Sequence, residues 1–279
     1  MRITQLLTII TLFGVATAAG AVTLAYKDNA GDKREYATTT KLTGIAQTAM
    51  GAIPVSVEMT MSSSEKVNTV KDKVADVTYS ITGGSSKMTI GALPGMDEIE
   101  PIITSIPAFS FNFTRTPTGK IDKVTLTGAG TSLLGGPLDA LNNQLLNPSQ
   151  GIAFPVKDLK EGDKWEVPMS ITLNGSPVTI SVKYLLVGTE TRNKKTYQKL
   201  TCDLEMKAPQ LAIPMPGATS KINMTMTMKG QTTELFDAEV GELFSSVMKA
   251  DITLVTTIAG MEEANSTTNL TIDGTTTKK

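Results

Sequence analysis

Trp165-Glu-Val167-Pro-Met169-Ser-Ile171-Thr-Leu173-Asn174-Gly175-Ser-Pro-Val178-Thr-Ile180-Ser-Val182-Lys-Tyr184 is the stretch that decides the fold. Apolar side chains recur at every second residue on both sides of Asn174-Gly175. A period of two places them on one face of an extended chain, with Thr, Ser, Glu and Lys on the other. Asn-Gly readily adopts the left-handed backbone of a two-residue hairpin turn. The stretch therefore reads as an antiparallel hairpin with one apolar and one wet face.

The same period extends outward in both directions. Val55, Val57, Met59 and Met61 alternate with polar residues, as do Phe109, Phe111 and Phe113. Ile222, Met224, Met226 and Met228 follow, then Ile252 and Leu254. Gly83-Gly84, Thr118-Gly119 and Gly188 read as turns between runs. Helical pattern is scarce: Leu138, Leu141 and Leu145 after Pro137, a short candidate at Met96–Ile103, and an ambiguous stretch at 43–52. The polar tail after Glu262 predicts one last edge strand, Asn269 to Ile272, before fraying. The expectation is a mainly β fold: strongly curved antiparallel sheet, with one or two short helices packed on or between its parts.

The unit occurs twice. Lys27-Asp-Asn-Ala-Gly31-Asp32-Lys33-Arg34-Glu35 resembles Lys157-Asp-Leu-Lys-Glu-Gly162-Asp163-Lys164-Trp165-Glu166. Each opens an alternating strand read to end at a glycine, Gly44 or Gly175. Ile53-Pro-Val-Ser-Val is echoed by Ser176-Pro-Val-Thr-Ile, and Val77-Thr-Tyr79-Ser-Ile81 by Leu200-Thr-Cys202-Asp-Leu204. The order of these echoes predicts a duplication. The division is 1–21 a signal peptide, 22–128 the first β repeat, 129–152 a helical connection, 153–275 the second repeat and 276–279 a tail.

Residues 1–21 carry Arg2, an apolar run from Ile3 to Val15 and small residues at Ala16-Thr17-Ala18. That is the three-part layout of a secretory signal. It implies a secreted or periplasmic location in a bacterial cell envelope, with no membrane span after its removal. A single cysteine, Cys202, permits no internal disulfide. On the apolar phase of its strand it reads as a core residue.

There is no histidine, which excludes Ser-His-Asp and Cys-His catalysis. Asp97, Glu98, Glu100, Glu262 and Glu263 are the carboxylates grouped closely enough to consider, and they read as solvated. No enzyme, metal or cofactor is expected. The net charge of −1 offers no basic face for nucleic acid.

Phe154-Pro-Val-Lys157, Gly162-Asp163-Lys164-Trp165 and Phe236-Asp237-Ala-Glu-Val-Gly241-Glu-Leu243 resemble a group of uncharacterised bacterial secreted proteins. In these, Gly-Asp-x-Trp opens a β-rich repeat. The first half departs from that pattern, with Arg34 in the Trp position. The resemblance implies a β-rich secreted protein and carries no activity. At the level of fold, many exported strands with few helices are similar to the open half-barrels of periplasmic lipoprotein and lipid carriers. Those wrap a helical plug and an apolar groove.

Two functions from different classes fit. The first is binding of a lipid or acyl chain on a Met-rich concave face, with Met59, Met61, Trp165, Met169, Met224, Met226 and Met228 as lining residues and Met206 beside them. The second is a structural or interaction protein of the envelope, with a filled core and an envelope protein as partner.

Overall fold

The computed structural model describes residues 21–49, 51–91, 100–127, 152–173, 176–214, 221–258 and 265–279. They form twelve strands in one antiparallel sheet that does not close on itself. The first half supplies β1 (Lys33–Thr48), β2 (Gly51–Lys71), β3 (Val74–Ile90), β4 (Ile102–Ile106), β5 (Phe109–Arg115) and β6 (Ile121–Thr127). The second half supplies β7 (Lys164–Leu173), β8 (Ser176–Arg192), β9 (Lys195–Pro214), β10 (Lys221–Asp237), β11 (Glu242–Ile258) and β12 (Ser266–Lys278). The spatial order is β6-β5-β3-β2-β1-β12-β11-β10-β9-β8-β7, with β4 paired to β3 beside β5. The halves thus share one sheet and meet at the β1–β12 seam.

Each half is a meander of hairpins. Asp72-Lys73 joins β2 to β3 with φ of 52° and 65°, and Asn193-Lys194 joins β8 to β9 with φ of 50° and 66°. Both residues of each pair are left-handed, which matches the twist of the strands they connect. β7 pairs with β8 down to Leu173 opposite Ser176, the register the Asn174-Gly175 motif requires. The sheet stops at β7 partly because Pro168 lies within it and has no N–H to offer a further strand.

Several expectations are corrected. Gly83-Gly84 and Gly188 are not turns. They sit inside β3 and β8 beside register shifts that leave Thr82 and Val187 as extra residues, opposite Ser62–Ser63 of β2 and Lys199–Leu200 of β9. The left-handed φ of Gly83 (149°) and Gly188 (133°) absorbs the extra residue, so the strand bends and continues. Gly44 does not end β1, and residues 43–49 and 51–52 of the ambiguous stretch are strand and turn. The tail neither frays nor forms an edge: β12 runs to Lys278, hydrogen-bonded on both sides, to β1 and β11. Pairing on two sides holds a Thr-rich strand that has little apolar surface of its own. Ile102 and Ile103, read as the end of a short helix, open β4. The remainder of that helix at 96–99 and the Leu-rich helix at 137–147 lie outside the described residues, which contain no helix.

One face of the sheet is mostly polar and exposed, apart from a small patch of Tyr197, Leu235 and Phe244; the other is mostly apolar. At the end holding the Asp72 and Asn193 turns, two segments cross the apolar face as a lid. Residues 21–30 and 152–163 bridge each other through Val22 and Leu159. They bring Leu24, Tyr26, Ile152, Phe154 and Leu159 down onto Tyr184, Leu200 and Phe236, the main core. A second core of Val67, Val77, Phe111 and Phe113 fills the first half at the same end.

Inward positions on neighbouring strands normally hold Cβ atoms about 4.5–5.5 Å apart. A Cβ at Gly230 would come within 2.4 Å of the Ala250 Cβ, so β10 and β11 are drawn together on the inner face and the sheet curls there. Gly230→Val is expected to cost about 1–3 kcal/mol by urea unfolding. Gly274→Ala, whose Cβ would meet nothing closer than 3.6 Å, should change stability by less than about 0.5 kcal/mol.

Candidate functional site

Beyond the lid, the inner face continues as a trough. Its floor is formed by Val55, Val57, Met59 and Met61 of β2, Leu42 of β1 and Leu270 and Ile272 of β12. Across the seam it continues with Met248, Ile252 and Leu254 of β11, Met224, Met226 and Met228 of β10, and Met206 of β9. Most of these are half-buried, while their outward neighbours, such as Lys41, Glu58, Lys229 and Lys249, are exposed. Every extensive contact between strands is between hydrogen-bonded neighbours, so among the described residues no second sheet covers this face. Met61 to Ile53 spans roughly 26 Å at strand rise, and β3 to β8 roughly 34 Å at strand spacing.

The residues expected to line a groove separate into four groups. Met224, Met226 and Met228 cluster with buried Met206, Val178 and Ala208. Met59 and Met61 share the face but lie across β1, β12 and β11 from them. Met169 lies in β7 opposite Ile180. Trp165 is at the covered end: its Nε1–H donates to the Ala153 carbonyl at 2.7 Å, and its ring stacks on Tyr184 at 5.1 Å. It packs against the main core, so its place is under the lid. Of the grouped carboxylates, Glu100 is exposed; Asp97, Glu98, Glu262 and Glu263 lie outside the described residues.

Sequence reading missed a buried ionic cluster beneath the lid. Arg115 of β5 donates to both oxygens of Asp28 (2.8 and 3.0 Å) and of Glu65 (2.8 and 2.9 Å). Arg34 of β1 reaches the same two carboxylates and, through Nε, Glu242 at 3.1 Å. Lys278 closes the set onto Glu242. The Arg115 guanidinium also lies 4.3 Å over the Tyr26 ring. Burial disfavours both guanidinium charges, yet Glu65 and Asp28 outweigh it and hold their pKa values above the ordinary arginine range. Arg34 faces Glu65 across β1 and β2 where the second half sets Trp165 against Tyr184. The Arg34–Glu65 pair in the first half is thus ionic, and the Trp165–Tyr184 pair in the second is aromatic.

Glu234 of β10 was also missed. It points to the inner face at 8% exposure, with Oε1 accepting a 3.4 Å hydrogen bond from Thr232 and Oε2 without a partner. Burial raises its pKa to about 7, the Thr232 hydroxyl opposing only weakly. The nearby Cys202 thiol is pushed up to about 12, first by burial and then by Glu234, which keeps it un-ionised and unreactive. The signal for Arg34, Glu65 and Glu234 was available: each is a charged residue on the apolar phase of an alternating strand.

No protein family and no curated protein matches this chain. Among solved structures, 19 chains match. One is OmpF of Salmonella typhi in complex with daunomycin, 8% identical, covering 92% of this chain and 100% of that one with a TM-score of 0.22. A likeness at that level carries no argument about fold or function.

Two stability predictions follow from the geometry. Arg115→Met strands Asp28 and Glu65 and should cost about 3–5 kcal/mol in urea unfolding, with Asp28→Asn and Glu65→Gln in the same chain recovering much of it. Glu234 carries a folded pKa raised above its unfolded value, so its stabilising proton is fully present below about pH 4.5 and lost as pH rises through about 7. Glu234→Gln should therefore remove a fall in stability of roughly 3 kcal/mol between pH 5 and pH 8, read as the difference between the two proteins.

Proposed function

We propose that this protein is an exported, non-catalytic carrier that holds an apolar ligand, a lipid or acyl chain, in the inner trough. The observation carrying the reading is the division of the sheet. At one end its apolar face is sealed by a lid and a buried charge cluster; beyond that, a floor roughly 26 Å long stays half-buried. Monomeric soluble proteins rarely leave contiguous apolar patches above a few hundred Å². Met supplies much of this floor, and its flexible thioether adapts to chains of varying length. The residues assigned to the ligand are Met59, Met61, Met224, Met226 and Met228, with Met169 on the β7 margin.

The reading includes a signal peptide at residues 1–21, secretion or a periplasmic location, and descent of the halves from one unit. Matched backbone features support the duplication. Gly31 and Gly162 have φ of 94° and 90° and donate to Val67 and Leu186 at 2.8 Å in each case. Asp32 and Asp163 then accept from those same two residues and cap their turns through Oδ2, at Asn29 and Lys160. Left-handed Gly119 and Gly241 occupy corresponding turns against the lid.

Native mass spectrometry of the purified protein should show co-purifying lipid, and a fluorescent fatty-acyl ligand should titrate saturably. Met226→Asp, a charge placed on the floor, should weaken that binding at least about tenfold while leaving the lid core folded. Absence of both bound lipid and saturable titration would turn the assignment toward an interaction protein of the envelope.

A further inference from the structure

The inner face changes character along one rung of the sheet. Glu234 of β10, Ser246 of β11, Thr276 of β12 and Thr38 of β1 stand opposite one another on four successive strands. Ser63 of β2 lies one rung nearer the lid, opposite Tyr36. On one side of this polar band are the covered cores and the ionic cluster. On the other the aliphatic floor begins.

The band is incompletely satisfied. Thr38 and Thr276 share a hydrogen bond of 3.0 Å. The Glu234 Oε2 and the Ser63 Oγ have no partner, although their residues are only 8% and 5% exposed. Leaving a buried polar atom unpaired is costly, and the free Glu234 oxygen marks a place on this band where a hydrogen bond is to be received. Glu234 is turned toward the trough: the hydroxyl that holds its Oε1 belongs to Thr232, one rung further along the floor.

Resting on the carrier reading, we infer that this band receives the head of the ligand, and that the head is uncharged and hydrogen-bonding, as in an acylglycerol, with its chains along the floor. The nearby cations argue against an anionic head. Arg34, Arg115 and Lys278 are matched by Asp28, Glu65 and Glu242, so no positive charge is left over. The ionisable groups around Glu234 are Tyr26 from the lid, Tyr184 from β8 and Cys202 from β9, all of which burial holds un-ionised at neutral pH. β11 presents only the Ser246 hydroxyl to it. With no cation facing it, Glu234 keeps its proton up to about pH 7, and its free oxygen is then a donor suited to an ester carbonyl. An ammonium head would have to give up its hydration to a neutral acid, which does not repay the loss.

The test uses the full chain and three fluorescent amphiphiles with the same acyl chain: a monoacylglycerol, a fatty acid and an alkyltrimethylammonium. At pH 6 the monoacylglycerol should bind about tenfold tighter than the other two, the preference expected of one or two well-made hydrogen bonds. Its affinity should fall several-fold by pH 8. Glu234→Gln, which keeps a donor, should retain the pH 6 affinity and lose the pH dependence. Glu234→Leu should lower monoacylglycerol affinity about tenfold and leave the other two unchanged. Unfolding curves should confirm that each variant is folded. Equal affinity for all three amphiphiles, or indifference to Glu234→Leu in a folded protein, would overturn the head assignment and leave the carrier reading standing. Failure of every amphiphile to bind would overturn both.

Discussion

Everything else in this fold depends on the burial of Arg34 and Arg115 against Asp28, Glu65 and Glu242. Charges withdrawn from water cost several kcal/mol each unless geometry returns it. Here each guanidinium is met by more than one carboxylate, and each of the three carboxylates by more than one cation. The five residues come from the lid segment and from β1, β2, β5 and β11, with Lys278 adding β12. The cluster therefore fixes where the lid sits, how β5 lies against β1 and β2 across the sheet, and how the two halves meet. Hydrophobic contact alone would specify none of these so sharply, because aliphatic faces slide. The second half solves the same local problem with Trp165 on Tyr184 and pins its lid strand by an indole hydrogen bond.

That arrangement concentrates rigidity at one end. The buried ionic cluster and most of the aromatic and fully buried aliphatic side chains lie at the lid end. The floor beyond has only its strand ladders and soft side chains. Small inward residues at Gly230, Ala250 and Gly274 keep it shallow and let the sheet curl. The division leaves the sealed end to hold the shape of the sheet while the soft side chains of the floor can adjust.

Strand content, antiparallel pairing and the two-faced character were legible because period-two alternation depends on burial alone. The Asn174-Gly175 motif correctly implied the register of β7 against β8. Strand ends were less legible. Glycine signals backbone freedom, and Gly83 and Gly188 use it for bulges rather than reversals. β12 was underestimated because Thr275, Thr276 and Thr277 carry no apolar pattern; its hold comes from partners some 240 residues away in sequence at one edge, such as Tyr36 opposite Lys278. The Met floor was readable residue by residue, but the separation of Met59 and Met61 from Met224, Met226 and Met228 depends on strand order, which alternation does not encode. Arg34, Glu65 and Glu234 are hard to place from the sequence because a charged side chain is ordinarily exposed. Only pairing across strands distinguishes a buried ion from a solvated one.

The seam between β1 and β12 also dictates a timetable. Most hairpins here join neighbours in sequence and can form as the chain emerges. β12 cannot: it must insert between β1, made early, and β11, made just before it. Until it does, the lid segment lacks Glu242 and Lys278 in their final places, and two long strand edges stand open. Closing so distant a contact is entropically slow, and open edges of this kind invite pairing with other chains. The assembly step with the greatest exposure to misfolding is thus the one that joins the halves, and a chaperone that holds a chain extended would act on that interval.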